Sequence, residues 1–141
     1  MSPVPVKGTK RRTRKEIRKA AESNFGRHCG IDVTAVRDGY ARATMTVEEQ
    51  LLNRLRITHG GALFTLADRA FGAAAGAAGD TVVAMSMTIH YLRPSSKGDV
   101  LVAEATKVRR GRKTCLYEVR IQNKRTKKLA ATVCATGFIV T

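Results

Sequence analysis

The sequence predicts an α+β protein in which a curved antiparallel sheet wraps around one long buried helix. Three observations carry this prediction. Residues 61–78 form a helix-length segment that is apolar on nearly every side, with Leu63, Phe64, Leu66, Ala67, Ala70, Phe71, Ala74, Ala75 and Ala78. Four alternating segments follow it and two precede it, and no second apolar helix is available. A helix that is apolar all round must be covered on all sides, and here only strands remain to cover it.

Taken in order, residues 1–20 form a Pro-containing, densely basic arm, read as partly flexible and merging into a short basic helix near residues 13–25. That helix places Ile17, Ala20, Ala21 and Phe25 on one side. The globular domain then runs over residues 21–141. "CGIDVTAVRDGYARATMTV" reads as two strands joined at Asp38-Gly39, a hairpin dipeptide. In the second of them Ala41, Ala43, Met45 and Val47 alternate with polar neighbours. Residues 49–59 read as an irregular polar connection, and Gly79-Asp80 closes the long helix. In "VVAMSMTIHYL" Met85, Met87, Ile89 and Tyr91 share one face. "GDVLVAEATKV" repeats the period-two pattern, and "KTCLYEVRIQN" puts Cys115, Tyr117, Val119 and Ile121 on one side. "KLAATVCATGFIV" is apolar on both faces, as an internal strand is.

The 141 residues suit one domain with a sizeable core. Lys and Arg number 26 against 11 acids, a formal charge of +15, which points to an anionic partner. Aromatics make up only 5% and Trp is absent, leaving little material for base-stacking platforms. The three cysteines, Cys29, Cys115 and Cys134, are widely spaced with no CxxC pair, and the histidines show no ligand spacing, so no metal is expected. Reduced thiols, a basic N-terminus without an apolar core segment, and a long helix interrupted by an Asp-Arg pair and several glycines suit a cytoplasmic protein without a membrane span.

One residue conflicts with the apolar helix. Between Gly60 and Gly79 the only charged side chains are Asp68 and Arg69, and an ionised carboxylate in such a setting is exposed, paired or functional. Together with Asn53, the run "HGGALFTLADRAF" (59–71), then "IHYLRP" (89–94), "GD" (98–99) and "RRGRKTCLYEV" (109–119), it resembles the hotdog-fold acyl-CoA thioesterases. The branch it is most similar to is the PaaI-type, phenylacetyl-CoA thioesterase-like group, and the likeness extends over about residues 30–140. The resemblance implies subunits paired through their sheets, dimers joined into a tetramer, and substrate sites at the dimer interface. It implies no cofactor beyond the coenzyme A of the substrate. It carries the glycine that binds the thioester carbonyl onto Gly60, the acidic residue onto Asp68, and the amide-bearing residue onto Asn53. His59 takes a supporting role as a cap or loop anchor. Four positions depart from the pattern: Arg54 and Arg56 stand in a segment that is commonly less charged, Arg69 follows the acid, and Gly72 stands where a related branch has a hydroxyl. Thr65 is the remaining candidate to place a water.

The chemistry fits those residue types. A backbone N–H at a helix N-terminus is a fixed donor for charge developing on a thioester oxygen, and glycine at 60 and 61 lets a ligand approach closely. A carboxylate opposite it can act as general base toward water or attack directly. Eight helical positions, however, separate Gly60 and Asp68 by roughly 12 Å, so one carbonyl carbon cannot touch both on the same helix. If both act, they come from different chains. Arg93 and the cluster Arg109, Arg110, Arg112 and Lys113 are candidates for the phosphates of coenzyme A. Two other functions compete with hydrolysis. A non-catalytic acyl-CoA sensor would use the basic arm on nucleic acid, but the arm is short for a helix-turn-helix and the acid at 68 is retained. A hotdog dehydratase would pair a His with an acid in a different motif.

Overall fold

The computed structural model describes Thr13 and residues 23–140. Apart from Thr13, the arm of residues 1–20, and with it most of the helix expected near 13–25, lies outside the described residues. Within them the first element is a short helix, α1 (Asn24–His28), capped by Ser23, whose hydroxyl accepts from the Gly26 N–H at 3.1 Å. Phe25 was expected on an apolar face but is 63% exposed, because α1 lays Gly26 rather than Phe25 toward the body of the protein.

Two strands follow, β1 (Ile31–Arg37) and β2 (Tyr40–Thr46), turning at Gly39 with φ 74°, a conformation glycine adopts without strain. A 3-10 turn (Glu49–Leu51) and a closed loop lead to α2 (Gly60–Ala75). Strands β3 (Thr81–Tyr91), β4 (Val100–Arg110), β5 (Thr114–Asn123) and β6 (Leu129–Val140) complete a six-stranded sheet of order β1-β2-β4-β5-β6-β3. Every pairing is antiparallel. This is the hotdog arrangement that the resemblance implies, with one helix lying in the concave face of a curved sheet.

The expected apolar faces of β2 and β5 are buried, whereas in the row expected on β3 Met85 and Tyr91 are exposed, because β3 is an edge strand with a register irregularity between Ala84 and Ser86. Ala41, Ala43, Met45 and Val47 are buried, as are Cys115, Tyr117, Val119 and Ile121. They meet Ala62, Leu63, Leu66, Ala67, Ala70, Phe71 and Ala74 of α2. Each large side chain wholly withdrawn from water here, such as Leu66, Phe71 and Met45, contributes about 1.5–3 kcal/mol. The "KLAATVCATGFIV" strand is internal, between β5 and β3, as its two apolar faces suggested.

Two features of the long helix differ from expectation. The helix ends at Ala75 rather than at 78, because Gly76 caps it and the chain tightens into short turns: Gly76 N–H donates to Gly72 O (3.0 Å) and Gly79 N–H to Gly76 O (3.0 Å). Gly79, at φ 102°, then reverses the chain into β3. Nor is the helix apolar on every side. Gly61 and Phe64 are exposed, and Thr65, Asp68, Arg69 and Gly72 are half-buried, leaving a stripe that its own sheet does not cover.

The helix is held close to the sheet by a glycine. A Cβ on Gly137 of β6 would lie 2.8 Å from Phe71 Cζ, 2.6 Å from Val82 Cγ1 and 2.9 Å from Cys115 Sγ. Gly137→Ala is therefore expected to destabilise the protein by about 2 kcal/mol in urea unfolding, through overpacking. Adding Phe71→Leu should recover part of that loss, because the ring edge is one of the three contacts.

Candidate active site

The stretch before α2 is tied down by polar contacts that alternation could not reveal. Asn53 Oδ1 accepts from Leu55 N–H (2.9 Å), while its backbone N–H donates to Ile57 O (2.8 Å), closing a loop within the connection expected to be irregular. Arg56 sits at φ 63° in this loop and pairs with Glu49 through both oxygens, the Nη2–Oε2 contact being 3.0 Å. Its charge thus serves the loop. Thr58 and Ser95, both buried, share a hydroxyl–hydroxyl hydrogen bond of 2.6 Å, and Thr58 N–H donates to Ser95 O (2.9 Å). These bonds fasten the entry to α2 against the segment that follows β3.

At the helix start His59 is the N-cap. Its Nδ1 accepts the Gly61 N–H at 2.8 Å, which places the ring proton of the neutral imidazole on Nε2. The expected role of His59 as a cap is therefore the arrangement observed. Among the described residues no acceptor takes the Gly60 N–H, one of the orphan donors at the positive end of the α2 dipole. Tyr91, at the end of β3, donates its hydroxyl to the Gly60 carbonyl at 3.0 Å. In the sequence Tyr91 is one of an alternating row with Met85, Met87 and Ile89, and periodicity holds no signal for this bond.

Asp68 lies half-buried on the uncovered stripe of α2, two turns beyond Gly60. Burial raises its carboxyl above the ordinary value, and the adjacent Arg69 only partly opposes this. Arg69 is itself half-buried, and burial lowers its guanidinium. Its stem packs against α1, where a Cβ on Gly26 would meet Arg69 Cδ at 3.0 Å. The residue that departed from the pattern thus braces the N-terminal helix. Thr65 donates its hydroxyl to Gly61 O at 2.8 Å, one turn back along the helix. At Gly72 a Cβ would enter open space.

The basic candidates divide between the two ends of the helix. Arg93, just past β3 and near Gly60, donates to Leu129 O at 2.9 Å. Arg110 pairs with Asp80 at 2.6 Å, so Arg109, Arg110, Arg112 and Lys113 cluster beside the start of β3. That end carries the C-terminus of α2, about 22 Å from Gly60 along 16 helical residues. Within one chain, then, the fold does not bring this cluster to the Gly60 end. No group of three or more potential metal ligands occurs among the described residues, and no helix among them is long and apolar enough to cross a membrane.

The carboxyl of Asp68 makes two outcomes separable. Burial makes the folded chain hold this proton more tightly than the unfolded chain does, so stability falls as the pH rises from the ordinary aspartate value through the raised folded one, and the loss is complete above it. Asp68→Asn is therefore expected to melt about 3 °C higher at neutral pH. The two proteins should converge below about pH 3, where the carboxyl is protonated in both folded and unfolded chains. Thermal unfolding across that range measures this.

Comparison with known proteins agrees with this architecture. The thioesterase superfamily profile matches residues 55–130. The acyl-coenzyme A thioesterase PaaI of Escherichia coli is 43% identical over 101 residues, covering 72% of this chain and 72% of its own. The structure of that PaaI protein, described as from the phenylacetic acid degradation operon, superposes with a TM-score of 0.84 at 33% identity, covering 90% of this chain and 95% of that one. Human acyl-coenzyme A thioesterase 13 is 32% identical over 114 residues, 77% of this chain and 79% of its own. Protein smu.793 of Streptococcus mutans, solved with acetyl CoA, gives a TM-score of 0.75 at 29% identity, over 78% of this chain and 88% of that one. With its sheet-wrapped helix, its glycine-led helix start and its half-buried acid, the chain belongs to the thioesterase superfamily, as an enzyme of the PaaI-type hotdog branch.

Proposed function

We propose that this thioesterase hydrolyses an aryl-acetyl- or medium-chain acyl-CoA to the free acid and coenzyme A, in a homodimer whose site joins Gly60 of one chain to Asp68 of the other. The observation that carries the reading is the placement of both residues on one rigid helix, roughly 12 Å apart, too far to serve one carbonyl within a chain. The Gly60 N–H then receives the developing charge on the thioester oxygen, with Asn53 close by in the loop before the helix. Asp68 acts as general base toward water or attacks the acyl carbon itself. In both routes the acyl–sulfur bond breaks and the coenzyme A thiol leaves.

The sheet supports a dimer of this kind. Strand β3 is an edge strand of 11 residues with Val83, Met85 and Tyr91 exposed, a long edge of the sort that pairs or aggregates unless covered. Antiparallel pairing of two β3 edges sets the start of one β3 beside the end of the other. The partner's Arg109–Lys113 cluster then lies toward this chain's Gly60, where the phosphates of a bound coenzyme A can reach it. The exposed pair Val83 and Phe138, neighbours in register, is apolar surface on which dimers can join into a tetramer. The acetyl CoA found with the Streptococcus relative and the acyl-CoA names of the Escherichia coli and human relatives support this substrate class.

Thiol release from a panel of acyl-CoAs tests the reading. Asp68→Asn is expected to lower kcat at least about 100-fold, and in the native enzyme activity should rise with pH through a limb set above the ordinary aspartate value. Hybrid dimers of inactive Gly60→Val and Asp68→Asn chains should regain part of the activity; none, despite proven subunit exchange, would sink the cross-chain site. Arg112→Glu with Lys113→Glu should raise KM about tenfold for acyl-CoA while leaving KM for the matching acyl-pantetheine, which lacks the nucleotide, unchanged.

A further inference from the structure

Two side chains meet a single peptide unit at the start of α2. The carbonyl of Gly60 and the N–H of Gly61 belong to the same planar amide. Tyr91 donates its hydroxyl to that carbonyl at 3.0 Å, and His59 Nδ1 accepts that N–H at 2.8 Å. The amide is gripped at both poles, by a residue from the end of β3 and by one from the helix cap. It links two consecutive glycines, the pair of residues least able to hold a backbone orientation by themselves. The fit around Tyr91 is close: a Cβ on Gly60 would lie 2.9 Å from its Oη and 3.0 Å from its Cζ.

We propose that Tyr91 is a positioning residue for thioester hydrolysis, forming with His59 a clamp on the Gly60–Gly61 amide that aims the neighbouring Gly60 N–H at the substrate carbonyl. The inference rests on the reading of Gly60 as carbonyl donor. The clamp also selects the donor. His59 occupies the Gly61 N–H, so the Gly60 N–H is the one at the helix tip left for a ligand. Because the grip on the carbonyl comes from the sheet, the donor is set against the strand that forms the free edge. The loop carrying His59 is anchored to the same region through Thr58 and Ser95. A preorganised donor loses no energy to reorientation as charge develops, whereas a free Gly-Gly amide would. Neither Tyr91 nor His59 exchanges a proton with substrate in this arrangement.

Tyr91→Phe keeps the ring and removes the hydroxyl. It is expected to lower kcat about tenfold, less than the loss of a donor itself, with KM within twofold and an unchanged melting temperature. The acid limb of the pH–rate profile, set by Asp68, should not move. His59→Asn supplies a side-chain oxygen that can cap Gly61 and should recover most of the activity lost in His59→Ala; an acid–base histidine would not be rescued this way. In Gly60→Ala the added methyl already displaces the hydroxyl, so adding Tyr91→Phe should cost little more. Wild-type kcat in Tyr91→Phe, with Asp68→Asn and Gly60→Ala inactive, would overturn the clamp alone. So would an equal loss in KM and stability, or equal activities for His59→Asn and His59→Ala. Full activity in Gly60→Ala and Asp68→Asn would remove the reading of the site and the clamp with it.

Discussion

The close approach of one helix to one sheet is the contact on which the rest of this structure depends. Alanines line both surfaces where they meet: Ala67, Ala70 and Ala74 on the helix, and Ala41, Ala43, Ala103, Ala105, Ala131 and Ala135 on the strands. Small side chains let the helix axis sink into the concavity, and the few large ones, Leu66, Phe71, Met45 and Tyr117, fill what remains. Gly137 is the limiting case, a strand position where the edge of Phe71 takes the space of a Cβ. Phe71 in turn meets Tyr117 edge-on, with ring centroids 5.4 Å apart, a favoured aromatic geometry. Packing this tight makes the helix a rigid rod, and a rigid rod fixes the distance between its first residue and any acid along it.

In the proposed dimer, that rigidity is also what leaves the site to be completed by a second chain. A six-stranded sheet curves around most of the helix but not all of it, and the stripe left over holds Phe64, Thr65, Asp68 and Gly72. Burial there is partial. It is sufficient to raise the Asp68 carboxyl, yet it leaves the group open on the side where another subunit would stand. The free β3 edge, the uncovered stripe and the Gly60 helix tip touched by Tyr91 at the end of that strand all lie where a partner would complete them. The stability given up by half-burying an acid is of the kind that functional sites carry.

The charged residues that looked anomalous in the sequence have different explanations. Arg56 closes the loop before the helix through Glu49, and Arg69 braces α1 with its stem. Arg110 ties the end of β4 to Asp80, and Arg93 holds a carbonyl of β6. Part of the strongly basic balance thus serves the fold, while Arg112 and Lys113 stay exposed at a turn where an anionic ligand can meet them.

The sequence by itself determined the fold class, the buried faces of β2 and β5, and the family. Hydrophobic period, glycine placement and the order of the motifs are local properties, and the burial of Ala41, Ala43, Cys115 and Tyr117 follows directly from alternation. It also determined that Gly60 and Asp68 cannot meet on one helix, because helical rise is a constant. Only the tertiary structure decided that α2 ends at Ala75, that one of its faces is left uncovered, and that the Arg109–Lys113 cluster stands at the far end from Gly60. Only it could place Tyr91 against the Gly60 carbonyl or Thr58 against Ser95. Those contacts join residues 31 and 37 positions apart through side-chain geometry, to which the period of a strand is blind.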